Sequence, residues 1–508
     1  MTSFTSPVLS RYTKQLTILA LTLLVSITYS ATLVLPPAMP GVDHHLYQDY
    51  QRMMQNIERW SPEPRYTGSD EIERVRRELL IEITSMGLVA QLDVYNSGKP
   101  KGINKYQLDE NGDLIVQNIM VRLEAPQSQT TYLFVAHYDG SDDPSAGDSM
   151  FGVCAMLEAL RSLAKLDLNH NIIFLFTDGE EVFRTLSGAS HVLKSYPELV
   201  DEVALVLNIE GCNGGGNPGI YGSSPDNLSL LRFYQSIGLY EYGTSLIYDI
   251  MAFTDTSGDL YHFTAAGMTG LNLAAFGSGR YYHTPLDTYE NLDPNSAYIY
   301  FQNVIQLAHH LAMNGSDDLK AAENGVFFPI LPGKIAVIPL SATRILFAVI
   351  LVISFALLLV FRRQDGLGSV EKLITRVLKF TSVSSVVFAV VFPNSLLHFV
   401  LPITALLVHF AIHRLRLAER TSTGVVLSMI WSVTSGSAII TLSAPILFQM
   451  FLYGLRMPIL LIIPIGLLAY IIPCLLCLCE TNTNETMPLV NAITLPKSIA
   501  EWWYRPSE

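Results

Sequence analysis

The chain has 508 residues, half of them apolar and only 15% charged, with a mean hydropathy of +0.32. Its length allows two or three domains, and its composition excludes a disordered or low-complexity chain while being too apolar for an ordinary soluble enzyme. The net charge of −13 argues against nucleic acid as a partner, since phosphate binding needs a basic face.

Residues 1–15 carry Arg11 and Lys14 and read as a short cytoplasmic N-terminus. Residues 16–37 then contain no charge over about the 20 residues that a spanning helix needs. Basic residues ahead of a first span keep the N-terminus in the cytoplasm and send the next segment across the membrane. The run is long for the apolar core of a cleaved signal peptide, so it reads as an uncleaved anchor.

Residues 43–326 hold most of the charged groups and are expected to fold outside the cytoplasm. EPRYTGSDEIERVRRELLIEITSMGL (63–88) predicts a turn and an amphipathic helix, capped by Ser69 or Asp70 with Glu73 near the third position. Short apolar runs then alternate with helical stretches. TTYLFVA (130–136) precedes a helix at about 149–164, NIIFLF (171–176) precedes one at about 186–195, and VALVLNI (203–209) and GLNLAAF (270–276) come after. This pattern predicts an α/β fold, a mostly parallel twisted sheet covered by helices.

After a Phe/Pro-rich joint from Phe327 to Pro332, residues 335–479 are almost free of Asp and Glu and predict a helical membrane domain with about six spans. Its basic loops, Arg362/Arg363 and HRLRLAER (413–420), fall on the cytoplasmic side if residues 43–326 lie outside, and the tail 480–508 is then extracytoplasmic. The spans carry no acid placed for an ion pathway, so the domain reads as an anchor or platform rather than a transporter. Five cysteines make no disulfide framework, and Cys474 and Cys477 sit in an apolar run where packing accounts for them. Sequons at Asn227, Asn314 and Asn484 all fall on the outer side.

In parallel sheets the ligand site lies beyond the carboxyl ends of the strands. The first run leads into His137-Tyr138-Asp139, the second into Asp178-Gly179-Glu180-Glu181, the third into Glu210, and the fourth into a loop carrying His283. Asp148 stands between the first run and its helix. Each alone has an ordinary explanation as a turn former, a helix-dipole partner or a loop histidine. Together they have the composition of a two-metal hydrolytic centre, in which imidazoles and carboxylates ligate zinc and one shared carboxylate bridges the pair.

With these residues in this order the chain resembles the co-catalytic two-zinc exopeptidases, over about residues 60–313. It is most similar to their membrane-bound branch, the endoplasmic reticulum metallopeptidases and fungal vacuolar membrane proteases. NIEGCNGGG (208–216), GSSPDN (222–227), FTDTSGDL (253–260), YYHTPLDTYENL (281–292) and ENGVFFPILPG (323–333) carry that resemblance. It implies a zinc aminopeptidase-like fold with two Zn2+ per chain. One ion would take His137 and Glu210, the other Glu181 and His283, and Asp148 would bridge them. Glu180 would be the general base, and Asp139 would orient His137 from behind. The family commonly has a second Asp where Ser149 stands, and an unusual Asp-Ser peptide is expected there.

The resemblance further implies a membrane-anchored metallopeptidase, with an aminopeptidase first among the exopeptidase types. It would act on peptides or proteins at the lumenal face of the endoplasmic reticulum or another endomembrane, or else outside a bacterial inner membrane, with the lipid bilayer as its other partner. DGEEVF (178–183) and DSMFGVCAMLEAL (148–160) are also similar to glutaminyl cyclases, which hold one zinc and transfer an acyl group intramolecularly. A third alternative is a metal-free scaffold like the peptidase-like subunit of the GPI transamidase. Metal content separates them: two ions, one, or none.

Overall fold

A computed structural model of the chain describes residues 46–98, 111–181, 188–212, 214–245, 258–277, 281–316 and 319–345, together with 349. Among the described residues no helix is long and apolar enough to cross a membrane. The expected anchor at 16–37, the tail at 480–508 and nearly all of the spans expected in 335–479 lie outside them.

The first helix, α1 (Tyr47–Trp60), buries Tyr50, Met53, Met54, Ile57 and Trp60, a stripe at helical spacing. The predicted capped helix comes next as α2 (Asp70–Ser85). Ser69 Oγ accepts from the Ile72 amide at 3.1 Å, and Asp70, Glu71 and Glu73 fill the first turn, where the helix dipole favours acids. The chain then runs β1 (Gln91–Asn96), β2 (Ile115–Leu123), β3 (Thr131–His137), α3 (Phe151–Leu163), β4 (Asn171–Thr177), α4 (Gly188–Ser195), α5 (Leu199–Glu202) and β5 (Val203–Ile209). It continues through β6 (Gly216–Ser223), α6 (Leu228–Ser236), α7 (Leu260–Ala265), β7 (Gly270–Gly277), α8 (Pro294–Asn314), β8 (Gly325–Leu331) and β9 (Lys334–Pro339).

Strands β1 to β7 form one sheet in the order β1-β2-β4-β3-β5-β7-β6. Every residue of β3 and β4 is buried, because helices cover both faces. Successive side chains of a strand point to opposite faces. Phe134, Phe174, Phe176 and Leu207 accordingly join the core with α1, α2, α3 and α8, while Leu133, Val135, Ile173, Leu175 and Val206 pack with α4 and α7.

The sheet is mixed, which corrects the expectation of a mostly parallel one. The four predicted strands, β3, β4, β5 and β7, are the parallel centre. On the flanks β1 pairs with β2, β2 with β4, and β6 with β7, all antiparallel. The flanking strands carry weak local signals. In β2 the apolar run is interrupted by Gln117, Asn118 and Arg122, and β6 is GNPGIYGS, held in the sheet by its ladder with β7 rather than by strand propensity.

The stretch read as a joint is part of a hairpin, β8–β9, that crosses the expected boundary at 326. Phe327 and Ile335 are buried in the main core, and Glu241 holds the hairpin by accepting from the Ile335 amide at 3.2 Å and pairing with Lys334. The Asn227 sequon is also committed to structure. Its side chain is 2% exposed, donates to Ser223 Oγ at 2.6 Å and accepts from the Gly325 amide at 2.8 Å. Asn314, at the end of α8, is exposed.

Candidate metal centre

Four parallel strands end side by side, and each delivers part of one cluster. His137 is the last residue of β3; Glu180 and Glu181 come after β4; Glu210 comes after β5; and His283 lies on the loop after β7. Asp148 sits in the turn ahead of α3, where the Asp148–Ser149 peptide, singled out from the sequence, is cis. Gly152 lets α3 approach the end of β5: a Cβ there would lie 2.2 Å from the carbonyl oxygen of Ile209. That close approach brings Asp148 between the two histidines. His283 has φ near +52°, a left-handed conformation that few non-glycine residues adopt.

The two oxygens of Asp148 face different imidazoles. Oδ1 is 3.4 Å from His137 Nε2, and Oδ2 is 3.3 Å from His283 Nε2. His137 Nε2 is also 3.7 Å from Glu210 Oε2, and His283 Nε2 is hydrogen-bonded to Glu181 Oε1 at 2.9 Å. Donors on one tetrahedral zinc stand about 3.3–3.6 Å apart, given bonds of 2.0–2.2 Å. The contacts to Asp148 fall in that range, whereas the Glu181–His283 contact is a direct hydrogen bond. Ligand atoms of His137, Asp148 and Glu181 also lie within 4.8 Å of one another, a grouping that would suit a single ion. The pairing of each histidine with its own Asp148 oxygen is the tighter relation.

The charges in the cluster are strongly coupled. Burial works against a charged His137, but Asp139, Asp148 and Glu210 outweigh it and raise its pKa well above the usual value. Burial opposes the charge on His283 too, and the Asp148 and Glu181 carboxylates push it up to about 10. Burial would raise Asp148, yet the two imidazoles hold it below the usual carboxylate range. Burial, with Glu181 and Glu210 close by, raises Glu180 well above the range of a surface carboxyl. Asp148 Oδ2 is buried and accepts no hydrogen bond among the described residues. A buried carboxylate oxygen in that state is costly unless a cation satisfies it, so the donor set fits metal ions.

Asp139, expected to orient His137, also plays a part that the sequence did not suggest, at the turn after β4. Its backbone oxygen is 3.1 Å from His137 Nδ1, and a carboxylate oxygen is 3.6 Å away. The carboxylate also accepts from the amides of Glu180 at 3.2 Å and Glu181 at 3.0 Å, so Asp139 holds the turn that presents both glutamates. Buried Arg65 donates to the carbonyls of Tyr138, Pro144 and Ser145 and fixes the loop between His137 and Asp148.

Sequence reasoning missed two more groups. The Asp287 carboxylate, 1% exposed, accepts from the amides of Gly147 at 2.9 Å and Asp148 at 3.0 Å, and so anchors the turn that carries Asp148. Its only signal was its place in the 281–292 stretch, four residues after His283. Asn208 donates to Glu210 at 2.6 Å, and its position two residues earlier, near the end of β5, was the available clue.

An α/β domain with imidazoles and carboxylates gathered at the carboxyl ends of its parallel strands defines the class: a domain with a candidate metal site. Residues 118–308 match the family model Peptidase family M28. The chain's relatives are the membrane-bound branch expected from the sequence. It is 27% identical over 290 residues to endoplasmic reticulum metallopeptidase 1 of Homo sapiens, covering 53% of this chain and 31% of that protein. It is 27% identical over 277 residues to the putative endoplasmic reticulum metallopeptidase 1 of Schizosaccharomyces pombe (52% and 32%), and 25% identical over 321 residues to the vacuolar membrane protease of Clavispora lusitaniae (59% and 30%). The matched part thus spans about a third of the length of these relatives. Among solved structures, the aminopeptidase from Aneurinibacillus sp. strain AM-1 aligns at TM-score 0.42 and 13% identity over 55% of this chain and 97% of that one. The glutaminyl cyclase from Fimbriiglobus ruber aligns at TM-score 0.41 and 16% identity over 53% and 97%.

Proposed function

We propose that this chain is a membrane-anchored two-zinc metallopeptidase, an aminopeptidase that hydrolyses peptides or proteins on the lumenal side of an endomembrane. The observation that carries the reading is the division of Asp148 between two histidines, at 3.4 Å and 3.3 Å from opposite carboxylate oxygens. His137, Glu210 and one oxygen of Asp148 would hold one ion, and His283, Glu181 and the other oxygen would hold the second. Bound zinc supplies Lewis acidity, polarising a scissile carbonyl and lowering the pKa of water from about 15.7 toward 7.

The chain's own residues supply the rest. Adjacent Glu180 and Glu181 diverge from one turn, so Glu181 turns to His283 while Glu180 is left to accept the proton of the attacking water and deliver it to the leaving amine. Asp139 fixes both glutamates through their amides. The basic residues at 11–14, 362–363 and 413–420 agree on which side is cytoplasmic and support a lumenal peptidase domain.

The reading is tested on the full chain purified in detergent, by metal analysis and by hydrolysis of short peptides blocked at one end or the other. Two zinc ions per chain, with cleavage abolished by N-terminal blocking and by a chelator, are expected. One ion with pyroglutamate formation would make it a cyclase, and no ion with no turnover would make it a scaffold.

A further inference from the structure

We infer that Asn208 is a positioning residue that makes Glu210 a single-oxygen ligand and so sets the affinity and coordination number of the ion held with His137. The inference rests on the metallopeptidase reading above. Asn208 and Glu210 are two residues apart where β5 ends, so their side chains share one face of the sheet. Asn208 is 1% exposed, and its Nδ2 donates to Glu210 Oε1 at 2.6 Å and lies 3.4 Å from Asn272 Oδ1 on β7, directly paired with it. Both acceptors face the same nitrogen, which leaves the amide one orientation.

Backbone crowds that oxygen as well. Gly258 lies against the carboxylate, where an added Cβ would stand 2.4 Å from Glu210 Oε1 and 3.5 Å from Glu180 Oε1. Oε1 is therefore enclosed between an amide donor and a backbone, while Oε2 faces His137 Nε2 at 3.7 Å. A carboxylate held in this way offers a cation one oxygen, not two. The amide also explains why the position is not an acid. An aspartate at 208 would set a second carboxylate against Glu210, and like charges this close disfavour each other's ionised form. Groups that orient ligands from behind typically change metal affinity by about 10–100-fold when removed.

The test uses the full chain in detergent, titrated with zinc against a competing chelator, and with cobalt as a spectroscopic substitute. In Asn208→Ala one of the two ions should weaken by about 10–100-fold while the other holds. The visible cobalt absorption should lose intensity as the coordination number rises. Gly258→Ala crowds the same oxygen and should give the same one-ion pattern; it decides the matter if Asn208→Ala does not fold. Wild-type protein that takes up fewer than two ions would sink the underlying metallopeptidase reading. If wild type binds two ions and the variants match it in affinity and cobalt spectrum, or lose both ions equally, this inference alone is overturned.

Discussion

Replacing Asp287 by asparagine removes one buried charge and one of two acceptors behind the turn that carries Asp148. Burial, and then the charge of Asp148, push the Asp287 pKa up to about 7, whereas an unfolded aspartate titrates near 4. A carboxyl that holds its proton more tightly when folded stabilises the fold below about pH 4, and that contribution is lost as pH rises through about 7. With these two values, metal-free wild type loses about 2–3 kcal/mol through this group between pH 5 and pH 8. The amide does not titrate. At pH 5 the variant should be less stable by about 1–2 kcal/mol, because one amide donor now faces a backbone N–H. By pH 8 that gap should close or reverse. Denaturant unfolding in the presence of a chelator at both pH values measures the shift. Taking the difference between the two proteins cancels Asp178, which burial and Asp139 also raise to about 7. Zinc affinity should move the opposite way, falling by about tenfold or more as Asp148 loses its anchor. Parallel stability–pH curves for the two proteins would refute the account of Asp287 as a buried, strained charge.

The same geometry sets four more outcomes. Glu180→Gln should keep its zinc and its peptide affinity while kcat falls at least about a hundredfold, and near wild-type turnover would remove Glu180 as the base. Glu181→Gln should lose zinc together with activity, as read by metal analysis of the purified variant. Asp148→Ala should empty both sites, whereas His137→Ala or His283→Ala should each weaken mainly one ion; two ions retained by the Asp148 variant would end the bridging assignment. If residues 43–326 are lumenal, Asn314→Gln should remove a glycan and raise gel mobility, while Asn227→Gln should not, since its side chain is buried and hydrogen-bonded. Protease added to sealed vesicles with their cytoplasmic face outward should likewise spare the domain.

Much of this protein is written in local sequence. Largely apolar runs mark β3, β4, β5 and β7, because strands covered on both faces bury most of their side chains, and the polar exceptions Asn208 and Asn272 are hydrogen-bonded to each other. Ser69 starts α2 by accepting from a free amide within one turn, and the acids after it complement the helix dipole. Since parallel strands must end at the same side of the sheet, the residues just after those runs, His137, Glu180, Glu181 and Glu210, could be named as neighbours before any fold was in hand.

Other features depend on contacts that no window of sequence contains. The antiparallel flanks come from pairings such as β2 with β4 and β6 with β7, and GNPGIYGS carries no strand pattern of its own. Asp287 reaches back across 139 residues to the Asp148 amide, and Asp139 reaches across 41 and 42 to the amides of Glu180 and Glu181. Asn227 is a valid sequon by pattern and an inaccessible one by burial. Periodicity and caps are set by steric and hydrogen-bonding rules acting over a few residues, so they survive in the sequence as patterns. Strand direction, buried carboxylate–amide contacts and solvent access are fixed only when distant segments pack, and there the tertiary structure decided.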